Sequence, residues 1–161
     1  PSFAIAIVNE SAAAIDFADA TITLEGKSGK KFGAMMNPVD VAARVDVLTR
    51  ERYPRAAEQQ ALLDKMREAV MRLPLIATTT SIAAGQRFDG MLVIDFAAFD
   101  MAELDRALGT DREFVLTLDN LGGDSAPLAI KVPLDKTAVT ITARCPEGKP
   151  ATAQTCKLGV E

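Results

Sequence analysis

Short segments in which apolar and polar residues alternate, each closed by a turn signal, recur along most of this chain, and that period of two restricts it to sheet. Ala20 to Glu25 is the clearest: Ile22 and Leu24 point one way, Thr21, Thr23 and Glu25 the other. Gly26 to Gly29 supplies a turn, and Lys31 to Met36 returns as the partner strand. The run Phe3 to Val8, ending at Asn9-Glu10-Ser11, reads as a strand, as do 75–80, 91–96, 114–118, 128–132 and 139–143. At least seven short strands separated by turns predict a mainly β chain, an antiparallel sandwich. A parallel α/β sheet would need helices between most strands, and the sequence lacks them.

One stretch breaks the pattern. Asn37-Pro38 reads as an N-cap followed by proline at the first helical position. Val41, Val45 and Leu48 then fall at helical spacing. A second helix is predicted from near Pro54, with Leu62, Met66, Ala69, Val70 and Leu73 on one apolar face and Glu68 paired with Arg72 on the other. Pro74 ends it, because a proline pushes its predecessor out of the helical region. Residues 37–73 are thus a helical insertion between strands. A further short helix is predicted from Asp100 to Leu108, stopped by Gly109.

With 161 residues, the chain is read as a single domain over 1–161. Its net charge of −4 argues against nucleic-acid partners, which require clustered positive charge. Lys27, Lys30 and Lys31 do cluster, but beside Gly26 and Gly29 they read as a solvated hairpin tip. No stretch is long and apolar enough for a transmembrane segment. The chain opens at Pro1 without an initiator Met, so a processed or trimmed form is expected, with any export signal or lipid anchor upstream. Cys145 and Cys156 are the only cysteines, and they flank the turn residues Pro146, Gly148 and Pro150. A disulfide closing the loop 145–156 is expected, with free buried thiols as the alternative. A disulfide would imply an oxidising compartment.

Histidine is absent, which removes Ser-His and Cys-His nucleophiles and His-ligated metal sites. Ser28 beside Lys27 and Lys30 could form a Ser-Lys dyad, but a solvated hairpin tip offers little pKa tuning. Asp95 and Asp100, flanking Phe96 and Phe99, could work as paired carboxylates, although one Tyr and no Trp leave few platforms for sugars. Asp119, Asn120 and Asp124 could offer oxygens to calcium, yet they are also ordinary turn residues. The glycines form no phosphate-binding loop. Met35, Met36, Met66, Met71, Met91 and Met101 are scattered and read as core fillers. No catalytic residue, metal or cofactor is therefore assigned, and no enzyme is expected.

Three segments, in order, carry a resemblance: Ile7-Val8-Asn9-Glu10-Ser11 with Ile15-Asp16-Phe17; Ile22-Thr23-Leu24-Glu25-Gly26; and Ile82-Ala83-Ala84-Gly85 with Gly90-Met91-Leu92-Val93-Ile94-Asp95. Together they resemble the immunoglobulin-like, telokin-like domains of bacterial envelope lipoproteins and secreted antigens, a family of unknown function. The helical insertion and the cysteine loop depart from that pattern. The resemblance implies an immunoglobulin-like β-sandwich, a periplasmic or secreted location, and binding rather than catalysis. The expected function is that of a non-catalytic exported module binding an envelope protein or a cell-wall component. Its candidate surface is the insertion, where Arg50, Arg52, Tyr53 and Arg55 gather residue types favoured at interfaces; the bland alternative is a solvated helix junction. The competing function is a hydrolase or small-ligand carrier with a pocket between the sheets, containing a polar group such as Asp95.

Overall fold

A computed structural model describes residues 2–26, 29, 31–53, 56–95, 113–123, 126–133 and 139–161. The chain is mainly β. Its elements are β1 (Ser2–Asn9), β2 (Ile15–Asp16), β3 (Thr21–Gly26), β4 (Lys31–Met35), α1 (Pro38–Arg52), α2 (Ala56–Arg72), β5 (Ser81–Ile82), β6 (Arg87–Asp95), β7 (Glu113–Asp119), β8 (Leu128–Pro133), β9 (Thr140–Cys145) and β10 (Lys157–Val160). The predicted helix at 100–108, the dyad residues Lys27, Ser28 and Lys30, and Phe96, Phe99, Asp100 and Asp124 lie outside the described residues.

Eight strands join in the order β10-β9-β1-β6-β4-β3-β7-β8, while β2 and β5 pair separately. The two edges, β8 and β10, approach each other, so the sheet is nearly barrel-shaped. Pairing is antiparallel except at one seam: β1 runs parallel to β9, with Ala4 opposite Thr140 and Asn9 opposite Cys145. The sheet is therefore mixed, which the expectation of wholly antiparallel pairing did not include. Turn signals specify only neighbouring hairpins, and β1 and β9 lie at opposite ends of the chain.

The alternation seen in the sequence determines the inside. Phe3, Ile5 and Ile7 of β1, Ile22 and Leu24 of β3, Leu92 and Ile94 of β6, Phe114, Leu116 and Leu118 of β7, and Ile141 and Ala143 of β9 share one buried cluster. Each large apolar side chain there contributes about 1.5–3 kcal/mol by leaving water. The Phe32 and Phe114 rings meet edge to face with centroids 5.5 Å apart. β6 is apolar on both sides. Its inward Leu92 and Ile94 join the main core, and Met91 and Val93 pack against Val41, Ala42 and Val45 of α1, Val70 of α2, and Leu75.

Two sequence expectations fail in instructive ways. Residues 75–80 are not a strand: Leu75 makes one parallel bridge to Met91, and the chain then turns, with Thr80 N–H donating to the Ala77 carbonyl. The Thr80 hydroxyl also accepts from Ala77 N–H, so a threonine run of high strand propensity closes a turn instead. Among the described side chains of α2, Leu63 and Val70 are buried, and Met66, Ala69 and, just beyond the helix, Leu73 are exposed. On the predicted face Val70 packs with Met91 and Val93 on the outer side of β6, so helical spacing alone does not decide which apolar residues are covered.

Gly90 is needed where the chain crosses β6. The Pro74 carbonyl accepts from Met91 N–H at 2.9 Å, and a Cβ at position 90 would collide with that carbonyl and with the Phe88 ring. Gly90→Ala should therefore destabilise the protein by about 1–3 kcal/mol, as overpacking does. A urea midpoint equal to that of the wild type would refute this close approach.

Candidate functional site

The helical hairpin α1–α2 starts from Asn37, whose extended backbone suits an N-cap and whose carbonyl accepts from Val41 N–H. Its side chain does not cap the helix. The Asn37 Oδ1 instead accepts from the Thr78 backbone N–H at 3.0 Å and from the Thr78 hydroxyl at 3.2 Å, fastening the hairpin to the 77–80 turn. Pro38 occupies the first helical turn, as predicted. Between the helices, Arg67 pairs with Asp46, and the Thr49 hydroxyl donates to the Met66 Sδ at 3.3 Å. Along α2, Glu68 and Arg72 form the predicted pair.

The structure brings Arg50, Arg52 and Tyr53 together at the exposed tip of the hairpin; Arg55 lies outside the described residues. The Arg52 guanidinium stands 5.9 Å from the centroid of the Tyr53 ring, within cation–π range. Gln59 closes the tip by donating to the Tyr53 carbonyl at 2.7 Å.

The larger signal on this element is apolar. Among the described residues, the exposed large hydrophobic side chains are Val39, Val47, Leu48, Tyr53, Met66, Met71 and Leu73, and all seven lie on or beside the hairpin. Val39 is 70% exposed, Met71 56% and Leu48 50%. Met66 and Met71 are therefore not core fillers, whereas Met36 is buried and Met91 packs beneath the helices. Sequence reasoning grouped Met66, Leu48 and Leu73 with the core because spacing alone cannot distinguish a face that packs from one left uncovered.

Beneath α1 lies a cleft of about 600 Å³. It opens between the helix and the outer side of the sheet, and not between two sheet layers as the carrier reading expected. Asp40, Ala43, Arg44 and Val47 form its helical wall, at the i, i+3, i+4, i+7 spacing of one helix face. Ala34 of β4 lies on its floor, directly opposite Thr23 of β3 on one side and Asp95 of β6 on the other. Paired residues point to the same side of a sheet, so the small Ala34 leaves room between the Thr23 hydroxyl and the Asp95 carboxylate. Lys31 and Met36 also border the space. Asp95 thus does line a pocket, and the sequence missed its other polar walls.

Among the described residues, some charges elsewhere on the surface pair, and others do not. Arg87 donates two hydrogen bonds to Asp89, at 2.7 and 2.6 Å, and these hold the Asp89 carboxyl below the usual carboxylate range. Among the described residues, Lys31, Asp40 and Arg44 form no ion pair. Asp40 and Arg44 stand at i, i+4, where an acid and a base on one helix commonly pair.

Cys145 and Cys156 form the expected disulfide across 11 positions. Asp119 accepts from Asn120 N–H, and Asn120, with φ of 58°, accepts from Gly123 N–H, so this loop is built as a turn. Among the described residues, no three of His, Cys, Asp or Glu gather as a metal site would require. Also among them, no helix is long and apolar enough to cross a membrane. No family model, curated protein or solved structure matches the chain.

Proposed function

We propose that this chain is a non-catalytic, exported envelope module that docks a partner protein on its helical hairpin. The observation that carries this reading is that, among the described residues, the exposed large apolar side chains all fall within residues 39–73. A monomer rarely leaves such side chains gathered on one element unless something covers them. Arg50, Arg52 and Tyr53 at the adjacent tip add the residue types that dominate binding energy at protein interfaces. A protein partner fits better than a cell-wall glycan, since the surface offers aliphatic and thioether groups and few aromatic platforms. The Cys145–Cys156 disulfide supports export, because reducing cytosols disfavour such bonds.

The immunoglobulin-like frame belongs to the same reading. Two of its resembling segments bond to each other: the Asn9 side chain donates to the carbonyls of Ile82 and Ala83. That contact supports treating the segments as one unit.

The triple variant Val39→Ser, Val47→Ser, Leu48→Ser tests the docking surface. These exposed positions should change stability by no more than about 0.5 kcal/mol each. Capture of a partner from a bacterial envelope extract should be lost. Undiminished capture by the folded variant would overturn the reading. Self-association abolished by the same substitutions would replace the foreign partner with a second copy.

A further inference from the structure

We infer that the cleft under α1 is a binding site for a short peptide in its zwitterionic form. This goes beyond the docking surface and does not depend on it. The cleft's charged rim carries the argument. Two cations, Lys31 and Arg44, and two carboxylates, Asp40 and Asp95, converge on one space. Lys31, Asp40 and Arg44 are not engaged in ion pairs among the described residues. Charge-assisted hydrogen bonds are stronger than neutral ones, and cations facing carboxylates within a cleft leave such bonds for an incoming molecule.

The ligand's chemistry follows from the balance. A purely anionic ligand would meet Asp40 and Asp95, and a purely cationic one Lys31 and Arg44. A molecule with an ammonium at one end and a carboxylate at the other satisfies both sets. Ala34, Ala43, Met36 and Val47 also line the space, so the ligand carries apolar groups besides its two charges. A volume of about 600 Å³ falls in the ordinary range of small-molecule sites and exceeds what a single free amino acid fills. A peptide of about three residues with an aliphatic side chain matches the size and both charges. The Thr23 hydroxyl, already donating to Glu25 at 3.4 Å, can still accept a hydrogen bond at the floor.

Titration calorimetry of the full chain with the tripeptide Ala-Leu-Ala tests the assignment. Binding is expected with both termini free. Acetylating the amine or amidating the carboxyl should weaken it at least about tenfold, the loss of one charge-assisted contact. Arg44→Gln should weaken the free peptide and leave the amidated one unchanged. Ala43→Leu, which fills the cleft from an exposed helical position, should abolish binding while the melting temperature is retained. No binding at millimolar peptide, or equal binding of the doubly blocked peptide, would overturn the proposal. Free leucine binding as tightly as the tripeptide would overturn the peptide in favour of an amino acid. The double variant Val39→Ser, Leu48→Ser alters the exposed apolar surface at positions outside the cleft lining, so loss of partner capture with retained peptide binding would separate the two sites.

Discussion

Asn9→Ala should lower the unfolding free energy by about 3–4 kcal/mol, the largest effect expected from truncating any single polar side chain here. Asn9 is fully buried at the end of β1 and uses every polar atom it has. Its Nδ2 donates to the carbonyls of Ala13 at 2.8 Å, Ile82 at 2.9 Å and Ala83 at 3.2 Å. Its Oδ1 accepts from the Ser11 N–H at 3.1 Å and the Ser11 hydroxyl at 2.6 Å. Its main chain donates to Gln86 and accepts from Gly85, whose φ of 72° suits glycine. Removing the amide leaves buried carbonyls without a donor, and each such loss costs about 1–3 kcal/mol before relaxation. Asn9→Asp should be worse, because a carboxylate oxygen would then face three carbonyls. Ser11→Ala removes only part of the network and should cost about 1 kcal/mol. Urea unfolding of the three variants checks the order; an Asn9→Ala midpoint within error of the wild type would show that water replaces the amide.

Removing the disulfide should cost about 3 kcal/mol. The loop from Cys145 to Cys156 is short, with a sequence separation of 11, and the chain-entropy relation gives roughly that value for its closure. Both sulfur positions are buried, so Cys145→Ala with Cys156→Ala avoids placing a hydroxyl in the core. The oxidised wild type should unfold at higher urea than the double variant, and reductant should bring the wild type down to meet it. Coincident oxidised and reduced curves would refute the stabilisation. This effect should not simply add to that of Asn9. Asn9 stands opposite Cys145 in the parallel pairing, and the Cys145 carbonyl accepts from Glu10 N–H. Contacting sites couple, so a double-mutant cycle should return an interaction energy of about 0.5–3 kcal/mol.

Much of this architecture was legible because it rests on local rules. Period-two runs gave β3, β4, β7, β8 and β9 nearly to the residue, and Asn37-Pro38 marked the start of α1. β10 escaped notice, since Lys157–Val160 is half exposed, carries a glycine and shows no apolar alternation strong enough to stand out. Pairing between distant strands left no local mark, so the β1–β9 seam could not be read. The cleft was hidden for a related reason. Asp40, Ala43, Arg44 and Val47 declare a common helix face, but only packing reveals that this face stands over Ala34. The apolar spacing of α2 was visible, whereas which of its residues are covered depends on tertiary packing that spacing does not encode.

The seam between β1 and β9 bears on when this protein can fold. β1 precedes both of its partners in the sequence, and Ala4 must wait for Met91 on one side and Thr140 on the other. Non-local pairings of this kind must close long loops before any contact rewards them, which places folding among the slow, millisecond-to-second topologies. During synthesis β1 therefore has neither sheet neighbour until β6 has been made, and it lacks the parallel one until β9 follows. The later elements complete this side of the sheet: β9 lies beside β1, β10 covers β9, and the disulfide closes the loop joining those two strands. The order of synthesis thus leaves one edge of β1 open until β9 arrives.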